Sequence, residues 1–79
     1  MSREEIYERL KVVFQDVFET EIALTDGTMA ADVAGWDSLT HISLLSAVED
    51  EFEIEFDMKA VQRMKNVGDM VNNIIELLA

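Results

Sequence analysis

A chain of 79 residues, 49% of them hydrophobic and none of them cysteine, has room for one domain with one core, held by packing and not by disulfides or a soft-metal cluster. Six basic residues stand against 17 acidic ones, and the formal charge of −11 has the wrong sign for a nucleic-acid backbone or an anionic membrane, so basic partners are expected. The opening MSREEIYERL lacks the basic end and apolar run of a secretory signal, and no apolar segment nears the roughly 18 residues of a membrane span, which points to a soluble, cytoplasmic chain; a monomer is expected, residues 1–79 forming a single domain.

In chain order, Ser2 followed by Glu5 spells a capping box, in which the serine oxygen and the glutamate carboxylate each satisfy a free backbone N–H, so a helix begins there. Ile6, Leu10, Val13, Phe14 and Val17 extend it as one apolar stripe to about Phe18. From Glu19 to Trp36 the period fails, and TDGT at 25–28 and AG at 34–35 supply turn residues. A connection this long should be pinned by Ile22, Leu24, Met29 and Val33 or else carry function. Asp37 fits an N-cap with Ser38 at the first helical position, opening a second helix that runs to about Glu53. A short third helix is expected from Asp57 to about Met64. Asn66 then caps a fourth, with Asp69 in its first turn and Val67, Met70, Val71, Ile74, Ile75 and Leu78 as its apolar face. The expected fold is all-α, a four-helix bundle of three longer helices and one short third helix, with a long loop between the first two.

The second helix carries more apolar surface than a core needs. Leu44, Leu45, Val48 and Phe52 trace the core stripe, with His41 at its upper edge. Leu39 and Ile42 fall about 60° apart on its flank, near Ser46 and Glu49, where they either widen the core or form an exposed docking patch. Glu49, Asp50, Glu51, Glu53, Glu55 and Asp57 follow. Their spacing does not match a calcium-binding helix–loop–helix, and no metal site is assigned; they steer basic partners or simply solvate a helix end.

Ser38 stands at the tip of that helix, where a phosphate ester on its hydroxyl would lie beside free N–H groups and the positive end of the helix dipole; plain capping by Ser38 or Asp37 is the other reading. His41, three residues on, invites a serine–histidine reading. A nucleophile also needs a group to orient its base and an oxyanion hole, and Asp37 projects elsewhere, so no catalytic residue is assigned and His41 is read as a locally hydrogen-bonded core-edge residue.

DSL at 37–39 at the head of the second helix, EDEF at 49–52, IEF at 54–56 and NVGDMVNNI at 66–74, in this order in a short acidic chain, resemble the acyl carrier proteins over essentially the whole length. The resemblance implies an acyl-carrier-type bundle whose Ser38 is esterified by 4′-phosphopantetheine, taken from coenzyme A by a separate phosphopantetheinyl transferase using Mg²⁺. It implies a chain that catalyses nothing itself and carries acyl groups as thioesters on the arm, in fatty-acid, polyketide-like or other specialised biosynthesis. Asp37 and Leu39 would flank the attachment serine. Leu39, Ile42, Ser46, Glu49, Asp50 and Glu53 would meet acyltransferases, synthases or ligases with basic docking faces.

Some positions depart from the family's fatty-acid carriers. Thr40 and Ser43 stand where acids usually follow the serine, and Trp36 either gives WDSLTHI a likeness to discrete carriers of specialised pathways or simply packs the long loop onto the bundle. Glu53 stands where a glycine often ends the second helix; a left-handed conformation there costs about 1 kcal/mol, which favours a different helix end. Met29, Met58, Met64 and Met70 either let the core flex around an acyl chain or merely fill gaps. A peptidyl or D-alanyl carrier, whose glycine pattern AGW matches only in part, and an unmodified acidic helical adaptor are the alternative readings.

Overall fold

Each helix of the computed structural model, which describes all residues 1–79, starts at a side chain that the sequence supplies for the purpose. Ser2 opens α1 (Arg3–Phe18): Glu5 N–H donates to Ser2 Oγ and Ser2 N–H donates to the Glu5 carboxylate. Asp37 opens α2 (Ser38–Phe52), Asp57 opens α3 (Met58–Arg63), and Asn66 opens α4 (Val67–Leu78). There is no strand, and no helix is long and apolar enough to cross a membrane.

The core is made by three stripes meeting. Ile6, Leu10, Val13 and Phe14 from α1 close on Leu44, Val48 and Phe52 from α2 and on Val67, Met70, Val71 and Ile74 from α4. Each large side chain so buried contributes about 1.5–3 kcal/mol relative to exposure, which is the main term holding a chain without disulfides together. The apolar face of α4 is narrower than its sequence suggests. Ile75 and Leu78 are each 38% exposed, because the core cluster ends at Ile74 and the last turn of α4 runs past it.

The long connection is pinned, but not by all the residues expected. Leu24 and Val33 are buried and Ile22 is half-buried, whereas Met29 points outward; its N–H instead donates to the Asp32 carboxylate at the single 3-10 turn, Ala30–Asp32. The stronger fastening is to α4. Val67 N–H donates to Thr28 O at 2.8 Å and Gly68 N–H to Asp26 O at 2.9 Å, so the 25–28 turn receives first-turn N–H groups that a helix cannot satisfy itself. The approach is close enough that a Cβ on Gly68 would sit 2.8 Å from Asp26 O, which explains a glycine inside the first turn. Asp26 in turn takes the Arg3 guanidinium at 2.7 Å and the Tyr7 hydroxyl, and Arg3 also donates to Asn72. Loop, α1 and α4 are thereby tied at one point.

The end of α2 corrects the expectation about Glu53. The residue is left-handed, with φ 55° and ψ 47°, although it is not glycine. Glu53 and Ile54 N–H both bond to Glu49 O, and Phe56 N–H donates to the Glu49 carboxylate at 2.9 Å. These bonds satisfy carbonyls and amides that would otherwise be orphaned, and they bring Ile54 and Phe56 onto the core, which offsets the backbone strain.

Candidate functional site

The N-terminus of α2 is fixed by a reciprocal set of bonds between Asp37 and Thr40. Asp37 Oδ1 accepts from Leu39 N–H and Thr40 N–H at 3.0 Å each, while Thr40 Oγ1 accepts from Asp37 N–H at 2.7 Å and donates to Gly35 O at 2.7 Å. Gly35, at φ 87°, makes the turn that delivers the chain to this cap. Hydrogen bonds from backbone N–H groups, that of Thr40 first and that of Leu39 with it, hold the Asp37 carboxyl below the usual carboxylate range, so it stands ionised beside Ser38.

The expectation of free N–H groups beside Ser38 is narrowed by this geometry to the N–H of Ser38 itself. Those of Leu39 and Thr40 belong to the Asp37 side chain, and that of His41 donates to Asp37 O at 2.8 Å. Ser38 itself is exposed, and its hydroxyl takes no part in the network on either side of it.

Along the outer face of α2 lie Leu39 and Ile42, 78% and 65% exposed, far more than residues that merely widen a core. Ser46, Asp50 and Glu53 continue this face and are exposed. Glu49 is half-buried, with one carboxylate oxygen given to Phe56 N–H. The rest of the acidic run divides by role: Glu51 lies 3.7 Å from Arg9, and Asp57 caps α3 through Lys59 N–H. Met58, 72% exposed at the first position of α3, joins the outer surface and not the core.

Ser38 also opens on a groove of about 410 Å³. Trp36, Asp37 and His41 form one wall of it, and Met64, Lys65 and Asn66, from the connection between α3 and α4, form the other. Met70 closes the base; of the four methionines weighed as adaptable core residues, only Met70 is buried and only Met64 packs beside it. Trp36 is set edge-on to Phe14, ring centroids 5.3 Å apart, and stacks on His41 while its indole N–H donates to His41 Nδ1 at 3.0 Å. His41 is thus a locally bonded edge residue, oriented by an indole and not by a carboxylate, and that nitrogen has no lone pair left for Ser38. Lys65 is the member of the groove that sequence reasoning missed. It comes from another element, and only its position next to the Asn66 cap hinted at a fixed location.

Residues 8–74 match a family model described as a phosphopantetheine attachment site. Similar relatives include acyl carrier proteins of Clostridium acetobutylicum, 33% identical over 87% of this chain and 91% of that protein, and of Caulobacter vibrioides, 34% identical over 95% and 97%. Among solved structures, the solution NMR structure of a holo acyl carrier protein from Geobacter metallireducens aligns with a TM-score of 0.85 at 36% identity, covering 90% of this chain and 83% of that one.

Proposed function

The chain belongs to the acyl carrier protein family, and we propose that its attachment residue is Ser38, esterified through Oγ to the phosphate of 4′-phosphopantetheine. When bound, the arm supplies a terminal thiol on which an acyl group travels as a thioester. The observation that carries the assignment of Ser38 is its exposed hydroxyl at the first position of α2, left out of the cap that engages its neighbours on both sides. That hydroxyl is accessible and spatially fixed, which is what an incoming modifying enzyme needs.

The chain does not activate Ser38. His41 Nδ1 is committed to Trp36 and there is no second histidine, so the base that removes the hydroxyl proton comes from a phosphopantetheinyl transferase, working with coenzyme A and Mg²⁺ in the cytoplasm. Ser38 Oγ forms the new bond to phosphorus as the phosphoanhydride bond of coenzyme A breaks and the adenosine bisphosphate departs.

Leu39 and Ile42 supply an apolar anchor within reach of Ser38, and Ser46, Glu49, Asp50 and Glu53 a polar and acidic margin, a combination suited to acyltransferases, synthases or ligases with basic docking faces. Thr40 is turned into the cap and Ser43 is uncharged, so charge on this face begins at Glu49, about three turns below the serine. Partners whose basic residues meet the lower half of α2 fit best. Incubation with coenzyme A, Mg²⁺ and a broad-specificity transferase, followed by intact mass measurement, tests the reading. One added phosphopantetheinyl group on the wild type and none on Ser38→Ala is expected; an unchanged mass for the folded wild type would leave the unmodified helical adaptor.

A further inference from the structure

We propose that Lys65 holds the phosphodiester of the arm, so that the arm leaves Ser38 along the groove between α2 and the α3–α4 connection and does not swing freely from the helix tip. The inference rests on Ser38 as the attachment residue. An ester phosphate on Ser38 Oγ is fixed by its own covalent bond at the mouth of the groove and carries one negative charge. At most helix N-termini the first-turn N–H groups would receive it. Here those of Leu39, Thr40 and His41 are already engaged by Asp37, which leaves only that of Ser38 itself, and the ionised Asp37 carboxylate places a like charge beside the new one. The phosphate therefore needs a cation from elsewhere.

The chain has six cationic side chains, and their placement singles out one. Arg3 is paired with Asp26, and Arg9 lies against Glu51. Lys65 makes no ion pair and is the one cation lining the groove that contains Ser38. Its backbone N–H donates to Asp69 Oδ2 at 2.9 Å, which fixes the root of the side chain at the start of α4, while the flexible four-carbon stem lets the ammonium reach across. Met64, Met70 and Trp36 make the neighbouring wall apolar, a surface suited to the branched alkyl segment that follows the phosphate in the arm. Cation and apolar wall together match the first part of the arm in chemistry.

The test compares the holo forms of the wild type, Lys65→Gln and Lys65→Arg, each verified by mass, at low ionic strength. Lys65 is exposed and its side chain bonds nothing within the fold, so the variants keep the bundle. In the wild type and Lys65→Arg the ³¹P resonance of the diester is expected to be broadened and displaced from that of free phosphopantetheine. In Lys65→Gln, and in the wild type at high salt, it narrows and moves to the free position. The single tryptophan gives a second readout: the change in Trp36 fluorescence between apo and holo wild type is lost in Lys65→Gln. A ³¹P line with the same position and width in all three holo proteins overturns the role of Lys65 while leaving Ser38 standing. Failure of every protein to gain mass removes the phosphate and overturns both.

Discussion

Tyr7 is the one tyrosine of the chain, and its titration reads the knot that ties α1, the 19–36 connection and α4 together. Burial first, and then its bond to Asp26, push the phenol from 10.0 up to about 12, while the bonds from Tyr7 and Arg3 hold the Asp26 carboxyl below its usual range. The signs follow from which state binds the proton more tightly. The phenol keeps its proton longer in the folded state, so its contribution is complete below pH 10 and fades as the pH rises towards 12; that of Asp26 is present above the ordinary carboxylate range and fades as acid protonates it. The phenolate absorbance of the native protein should therefore rise at a pH clearly above that of free tyrosine, and Asp26→Asn should lower the midpoint. A midpoint equal to that of free tyrosine would show that the knot is absent. Glu53 offers a second residue-scale test. Relieving its left-handed strain by Glu53→Gly should raise stability by about 1 kcal/mol, read as a higher urea midpoint at an unchanged slope, and no gain would mean that the helix end is not strained.

At the scale of elements, the caps were the legible part of the fold. Ser2 with Glu5, Asp37, Asp57 and Asn66 act on N–H groups two or three residues away, so the sequence around each contains the whole interaction. Asp37→Ala should accordingly cost about 1 kcal/mol in chemical denaturation, and a change indistinguishable from zero would contradict the cap as the determinant of the α2 start. The stripes of α1 and α2 were legible for a similar reason, since a period of 3.6 residues marks a face. A period does not say what covers that face. Met29, Met58, Ile75 and Leu78 looked like core residues by type or spacing, and they are exposed because no neighbouring element reaches them. The contacts of Asp26 with Arg3, 23 residues away, and of Arg3 with Asn72, 69 residues away, carry no local signature at all. The demand on Gly68 comes from the same loop, and Gly68→Ala should destabilise the bundle by about 1–3 kcal/mol through the clash with Asp26 O, measured by the same denaturation.

For the molecule as a whole, a charge of −11 on a chain of 79 residues opposes its own compaction, most of all along Asp50, Glu53 and Glu55, which have no cationic partner. The melting temperature should rise with added salt, and more with a divalent cation; a salt-independent value would rule out self-repulsion as a term that matters. The same field should speed encounter with the proposed basic partners, and raising salt should then slow association more than it hastens dissociation. Ser38 and the exposed Leu39 and Ile42 could be picked out from the sequence because they lie close together on one helix. The groove could not, because its walls come from α2, the 3-10 turn and the α3–α4 connection, and only the packed bundle brings Lys65 to Ser38. The most direct test of the carrier role is fragmentation mass spectrometry of the peptide that contains Ser38, taken from protein purified out of cells that possess a transferase and an acyl supply. The arm should map to Ser38 and bear an acyl group that hydroxylamine removes; a bare Ser38 peptide from such cells, or an arm mapped to another residue, would contradict it.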